Sequence, residues 1–243
     1  MDIPRRRAAF RRDRRAPQVH SWDDACCVKT TTADVAARIR FERLLVSTRK
    51  SSFKVGTETL GRVEDVSFAT CDAFDAGRGL AIYAKDGGAV RDVSFVNVTV
   101  DLYAAYPDEP EAGRPIDFEL EHRYGYSTTA RVRVENAALA VHAPLTFKGN
   151  GNATLRGVLL ENTTLRVGAP AAVLNKTYLV DCHNDAIAPY GVSAANLVVD
   201  WDGHRDQWRG LAAAWPEQPP ASDEPVSLCP CRCARRPTCP CRL

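Results

Sequence analysis

The chain has 243 residues and a formal net charge of +2, a length that fits one domain with a continuous core and a charge too small to argue for a nucleic-acid partner. No run of about 18 apolar residues occurs, which excludes a membrane-spanning helix.

In chain order, the first segment is basic. Arg5, Arg6, Arg7, Arg11, Arg12, Arg14 and Arg15 crowd the stretch from Met1 to Pro17, which lacks the apolar core of a secretory signal. Such a run reads as a solvated, disordered tail over 1–20, with a basic arm or an Arg-rich transit peptide as alternatives. The chain then begins to repeat itself. Val63-Glu64-Asp65-Val66-Ser67-Phe68 is answered 27 residues later by Val90-Arg91-Asp92-Val93-Ser94-Phe95, and Ile39-Arg40-Phe41 stands 27 residues before Val66. Val132-Arg133-Val134 and Val158-Leu159-Leu160 are 26 apart. Leu197-Val198-Val199 continues the series, and two intervals of 39 residues, Val93 to Val132 and Val158 to Leu197, leave room for loops inserted at a corner. Each run is short, rich in β-branched residues and bounded by Gly, Asn or Asp, and no amphipathic helical stretch separates them. The spacing predicts an all-β, right-handed parallel β-helix over 21–215, each repeat burying an apolar stripe against its neighbours. A β-sandwich is the competing architecture, but its turn signals recur about every 8 to 12 residues. Beyond Trp215 the Pro-rich linker from Pro216 to Pro225 opens a Pro- and Cys-rich tail, 216–243.

The nine cysteines fall into two groups. Cys26, Cys27, Cys71 and Cys182 sit in strand-like runs, where free cysteine acts as a small apolar residue. Cys229, Cys231, Cys233, Cys239 and Cys241 alternate with Pro and Arg, which reads as a disulfide-bonded or disordered tail; a soft-metal site is the alternative, without the spacing of a zinc ribbon. Four sequons, at Asn97, Asn152, Asn162 and Asn175, point to glycosylation. The structural alternative is that Asn favours corners and Thr favours strands. His183 and His204 read as structural or exposed, since neither has a metal-ligating partner at useful spacing.

Three segments one period apart carry candidate chemistry: Ser21 to Lys29, Ser51 to Glu58 and Arg78 to Lys85. Stacking would place Asp23 or Asp24, Ser51 or Lys54, and Arg78 or Lys85 along one groove, mixing acids with cations as a saccharide-cleaving site requires. Adjacent aspartates on a strand point to opposite faces, so both act on one substrate only from a corner or bulge. Two carboxylates set close together also raise the pKa of one of them, as a general acid needs. The alternative is that Asp23 and Asp24 cap a corner. The interval from Val100 to Val132 holds Tyr103, Tyr106, Arg114, Glu119, His122, Arg123, Tyr124 and Tyr126, read as a corner loop suited to sugar stacking or to ordinary packing.

Taken in order, Asp23-Asp24 before an apolar strand and Lys29, then Val55-Gly56-Thr57-Glu58, then Arg78-Gly79-Leu80-Ala81-Ile82 before a Gly-rich turn, resemble glycoside hydrolase family 28, the polygalacturonases. The likeness runs clearly over 21–100 and more weakly to Trp208. It implies a right-handed parallel β-helix that hydrolyses glycosidic bonds of a cell-wall polysaccharide or oligosaccharide with inversion. On this resemblance Asp23 matches the general acid and Asp24 a residue that activates water. Lys29, Ser51, Lys54, Glu58, Arg78, Lys85 and Arg114 are then expected to hold substrate, with neither cofactor nor metal, in a monomer that touches no membrane. The resemblance also implies secretion, although no signal peptide precedes the tail. The pattern departs from the family in three places. The upstream Asn-Thr-Asp is missing, Lys50-Ser51-Ser52 stands for Gly-His-Gly, and the Arg-x-Lys that grips a uronate aligns with Ala81 and Tyr83. These departures fit a chain lacking N-terminal repeats, and they keep open a catalytically inactive β-helix that binds glycan or serves a structural role. A lyase on the same fold would need clustered carboxylates for Ca²⁺, and none is evident.

Overall fold

The computed structural model describes residues 16–103, 112–149, 153–168, 179–183, 191–208 and 226–228. Calls on the Arg-rich segment before residue 16, on Tyr106, on the sequons Asn152 and Asn175, and on most of the C-terminal tail lie outside these residues. The described chain is almost wholly β. Its strands are β1 (Gln18–Ser21), β2 (Cys26–Thr30), β3 (Val35–Glu42), β4 (Leu45–Thr48), β5 (Ser51–Thr59), β6 (Arg62–Ala69), β7 (Asp72–Ala76), β8 (Arg78–Asp86) and β9 (Ala89–Val96). They continue as β10 (Thr99–Leu102), β11 (Arg114–Gly125), β12 (Thr128–Glu135), β13 (Ala138–Val141), β14 (Leu145–Lys148), β15 (Thr154–Val167), β16 (Val180–His183), β17 (Val192–Asp200) and β18 (Val226–Ser227).

The 27-residue period is a pairing rule. Through the first ten strands each strand pairs, parallel and in register, with the strand three places on. Val28 lies beside Val55, Val55 beside Ile82, Ile39 beside Val66 and Val66 beside Val93. One sheet contains β2, β5, β8, β11, β14 and β16, while the others form a second sheet in two limbs that meet at the long strand β15. Among the described strands pairing is parallel apart from the β17–β18 contact, which is not the antiparallel pairing of a sandwich. The core lies between the sheets. Phe41, Phe68 and Phe95, one above another, stack with ring centroids 4.9 and 5.1 Å apart, and Phe118 and Phe147 from the facing sheet extend the column. Burying a phenylalanine stabilises by about 1.5–3 kcal/mol, and four of these five, all but the half-buried Phe41, are fully buried.

A skipped beat in the sequence alternation has a backbone cause. In Val63-x-x-Val66-x-Phe68 the three apolar residues all point inward, because Asp65 between them adopts φ +51° and turns the chain by an extra residue. Arg38, Asp92, Arg131 and Gly157 hold the same position in their own repeats, at φ +58°, +55°, +55° and +61°. A second left-handed column follows: Arg43, Thr70, Asn97 and Asn136 just past the ends of β3, β6, β9 and β12, with Asn162 inside β15 and Asn196 inside β17. Asn and Asp tolerate this conformation better than other side chains do, which explains their enrichment there. Asn196 Nδ2 also donates to Asn162 Oδ1 at 3.1 Å, bonding one repeat to the next.

Four expectations are corrected. Val158 pairs with Val192 and Leu197 with Thr163, so the last offset is 34 residues and Leu197 belongs to the other limb. The interval from Val100 to Val132 is not a corner loop, since Arg114–Gly125 forms β11, the longest strand of its sheet. Leu120 pairs with Ala84 but Gly125 pairs with Asp86, so three residues of the insertion are taken up by a bulge that pushes residues 121–124 into solvent. Cys182 is disulfide-bonded rather than a free apolar filler, whereas Cys26, Cys27 and Cys71 are free. Residues 226–228, expected in the tail, return to the fold as β18 and the buried Leu228.

Candidate functional site

Asp23 and Asp24 lie between β1 and β2, in a corner and not on a strand. The corner is built by their own hydrogen bonds. The Asp24 N–H donates to Asp23 Oδ1 at 2.7 Å, and the Asp23 N–H donates to Ser21 Oγ at 3.1 Å. Asp24 faces the next repeat, where its Oδ1 accepts the Ser51 N–H at 3.1 Å and its Oδ2 meets Lys54 Nζ at 2.6 Å. Burial pushes the Asp24 carboxyl up, but the hydrogen bond and charge of Lys54, with the Ser51 N–H, outweigh it and hold the group below its ordinary value. Asp23 is exposed.

From Asp24 a row of charged groups runs across the outward face of the sheet formed by β2, β5, β8, β11 and β14. Lys54 Nζ sits 4.5 Å from the centroid of the Tyr83 ring, with Lys85 Nζ at 5.0 Å and the Arg78 guanidinium at 5.7 Å. Arg78 Nε donates to Ser51 Oγ at 3.2 Å, and the Tyr83 hydroxyl donates to Asp117 Oδ2 at 2.7 Å. Arg114 reaches the same Asp117 oxygen at 2.9 Å and Glu119 at 3.6 Å. Glu119 also takes Lys148 at 2.8 Å and Lys85 at 3.3 Å. Burial raises the Glu119 carboxyl, and the bonds and charges of Lys148 and Lys85 bring it below its usual range. A general acid needs the opposite displacement. A carboxyl that burial does push up, Asp72, lies on β7 in the other sheet.

The structure thus brings together Asp24, Ser51, Lys54 and Arg78 as the period predicts, and joins Lys85 and Arg114 to them through Tyr83, Asp117 and Glu119. Lys29 and Glu58 pair with each other at 2.8 Å near the C-terminal ends of β2 and β5, outside the hydrogen-bonded row, and the Lys29 hydrogen bond lowers the Glu58 pKa. The expected open groove is also corrected. Lys54, Arg78, Tyr83, Arg114, Asp117 and Glu119 are all buried, none more than 6 % exposed. Asp23 instead neighbours a rim, where Trp22 is 71 % exposed with the Arg49 guanidinium 5.2 Å from its ring centroid. A second aromatic patch stands on the β11 bulge: Tyr124 is exposed, and Tyr126 packs 4.3 Å from His122. Arg123 is anchored there by Asp86 at 2.6 and 2.8 Å.

Asp117, Lys148 and the role of Glu119 escaped the sequence reading. The signal was present in Ile116-x-Phe118-x-Leu120, which aligns with Leu80-x-Ile82-x-Ala84 once the insertion is allowed for. Of the sequons, Asn97 and Asn162 are exposed in the left-handed column. Asn136 and Asn196 share that column without being sequons, so the backbone alone accounts for Asn at these positions. Among the described residues no group of three or more His, Cys, Asp or Glu is placed to hold a metal ion. No protein-family model matches the chain, and neither a curated protein nor a solved structure matches it significantly.

Proposed function

We propose that the stacked parallel strands form a right-handed parallel β-helix of the polygalacturonase-like kind, and that the chain binds a cell-wall-type glycan without hydrolysing it. The observation that carries this reading is the closed, charge-paired row. Asp24 is held by Lys54 at 2.6 Å, and Glu119 by Lys148 at 2.8 Å, so both carboxylates are kept ionised and neither is poised to give up a proton. Sugar rings pack on exposed aromatic faces while their hydroxyls bond to charged neighbours. Trp22 with Arg49 at the β1–β2 corner, and Tyr124 with Arg123 on the β11 bulge, offer that chemistry. Affinity electrophoresis through gels containing pectic or neutral polysaccharides tests the proposal. Retardation by at least one glycan is expected, with loss of about tenfold or more in affinity when Trp22→Ala and Tyr124→Ala are combined. Migration unaffected by every glycan, or retardation indifferent to both substitutions, sinks it.

One observation favours a second reading, an inverting glycosidase: Asp23 is exposed and shares a corner with Asp24, the backbone that two cooperating aspartates need. On that reading Asp23 donates the proton to the leaving oxygen.

A further inference from the structure

We propose, resting on the reading that the chain binds glycan, that its ligand is an uncharged glycan lying along the corner that follows β2, β5, β8 and β11. Of the six large apolar side chains exposed among the described residues, four stand around this corner: Val35, Leu60, Tyr124 and Tyr126. Register lines them up across the repeats. Thr57 faces Ala84 and Arg62 faces Ala89, both 27 residues on, so Leu60 between them lies level with Gly87. Gly125 faces Asp86 and Thr128 faces Ala89, so Tyr126 lies level with Gly87 on the other side. Leu60 and Tyr126 are thus two strand spacings apart, roughly 9–10 Å. Gly87 is exposed and puts no side chain between them. Val35 pairs with Arg62, two residues past Leu60, and continues the apolar line by one repeat.

Charge and size choose the occupant. The charges bordering the corner are matched within the protein: Lys29 pairs with Glu58 at 2.8 Å, Arg123 with Asp86 at 2.6 Å and Lys85 with Glu121 at 3.1 Å. The bonds from Lys29 and Arg123 hold the Glu58 and Asp86 carboxyls below their usual range, so both stay ionised and paired at neutral pH. A uronate or sulfate arriving here would compete with a carboxylate already in place. A neutral hydroxyl needs only the lone pairs and N–H groups that the ion pairs leave over. A stable protein interface takes about 800 Å² and about 20–30 residues from each partner, and four apolar side chains fall far short of that. They suit the faces of a few sugar rings, with the tyrosine hydroxyls free to bond at the edge. The shelf is set in advance, since Tyr126 packs 4.3 Å from His122 and Arg123 is held by both Asp86 oxygens.

The test is affinity electrophoresis of the full chain through xyloglucan, galactan, polygalacturonate and fully methyl-esterified polygalacturonate. Retardation by an uncharged polysaccharide is expected, changing by less than about twofold as salt is raised. Tyr126→Ala should weaken it about tenfold. Leu60→Asp and Leu60→Lys should weaken it alike, and Val198→Ser, exposed on β17 away from the corner, should leave it unchanged. Retardation confined to polygalacturonate, or tightened by Leu60→Lys and weakened by Leu60→Asp, overturns the uncharged ligand. Binding indifferent to Tyr126→Ala and to both Leu60 variants overturns the corner, while glycan binding itself survives in either case. No retardation by any polysaccharide overturns both readings together. Self-association in sedimentation that Tyr126→Ala abolishes gives the patch to a second copy and overturns the proposal. Should Tyr126→Ala fail to fold, the two Leu60 variants decide.

Discussion

Asp24 acts as a rivet between repeats: its two oxygens are taken by the Ser51 N–H and the Lys54 ammonium, both on the next repeat. With side chains 14 % and 5 % exposed, the pair is substantially desolvated, and removing one partner strands the other. Lys54→Met is therefore expected to cost about 3 kcal/mol in chemical denaturation at neutral pH. The pH dependence has a definite sign. Asp24 is lowered in the folded state, so its contribution is complete above the unfolded aspartate value, about 3.9, and is lost as pH falls through the lower folded value. Without Lys54, burial instead favours the protonated carboxyl, so the gap between wild type and Lys54→Met should narrow steadily as pH drops from 7 toward 3. A gap that stays constant would mean Asp24 and Lys54 are not coupled. The sequence placed these two residues in successive repeats, 30 residues apart, yet it could not say whether the carboxylate faced a substrate or a lysine, because spacing fixes register and leaves partners open.

At the scale of the strand, the repeated Val-x-x-Val is where sequence reading was most and least informative. The 27-residue offset predicted which residues stack, and Val28, Val55 and Ile82 do so. The two-residue gap looked like an imperfect alternation and is in fact a left-handed residue that lets both valines face the core. Asn136, in the second such column, is exposed with φ +50°, and its N–H donates to the Glu161 carbonyl at 3.0 Å. A β-branched side chain there should cost about 1–2 kcal/mol, while Gly should be nearly neutral. Equal stability of Asn136→Val and Asn136→Gly in urea denaturation would show that the turn does not depend on its left-handed residue. The insertion before β11 defeated the reading for a related reason. Three of its extra residues are taken up by a bulge within β11, so a marker counted from strand to strand read the whole interval as loop and left Asp117 and Glu119 unplaced.

Across the whole molecule, parallel register brings every third strand into line, so one outward row gathers charges from residues as distant in sequence as Asp24 and Lys148. That convergence, expected as a groove of mixed acids and cations, is instead largely buried and ion-paired, and exposed side chains stand beside it, Trp22 and Asp23 at the β1–β2 corner and Tyr124 on the β11 bulge. The resemblance to polygalacturonases rests on the order of motifs, and within them Asp24 is ion-paired to the buried Lys54. The central claim is that the aspartate pair is architectural. It is tested most directly by reducing-sugar release from a panel of pectic and neutral glycans, comparing the wild-type chain with Asp23→Asn. The account predicts no release above background from either protein, although both are folded. Release by the wild type that disappears in Asp23→Asn would contradict it and establish a glycosidase.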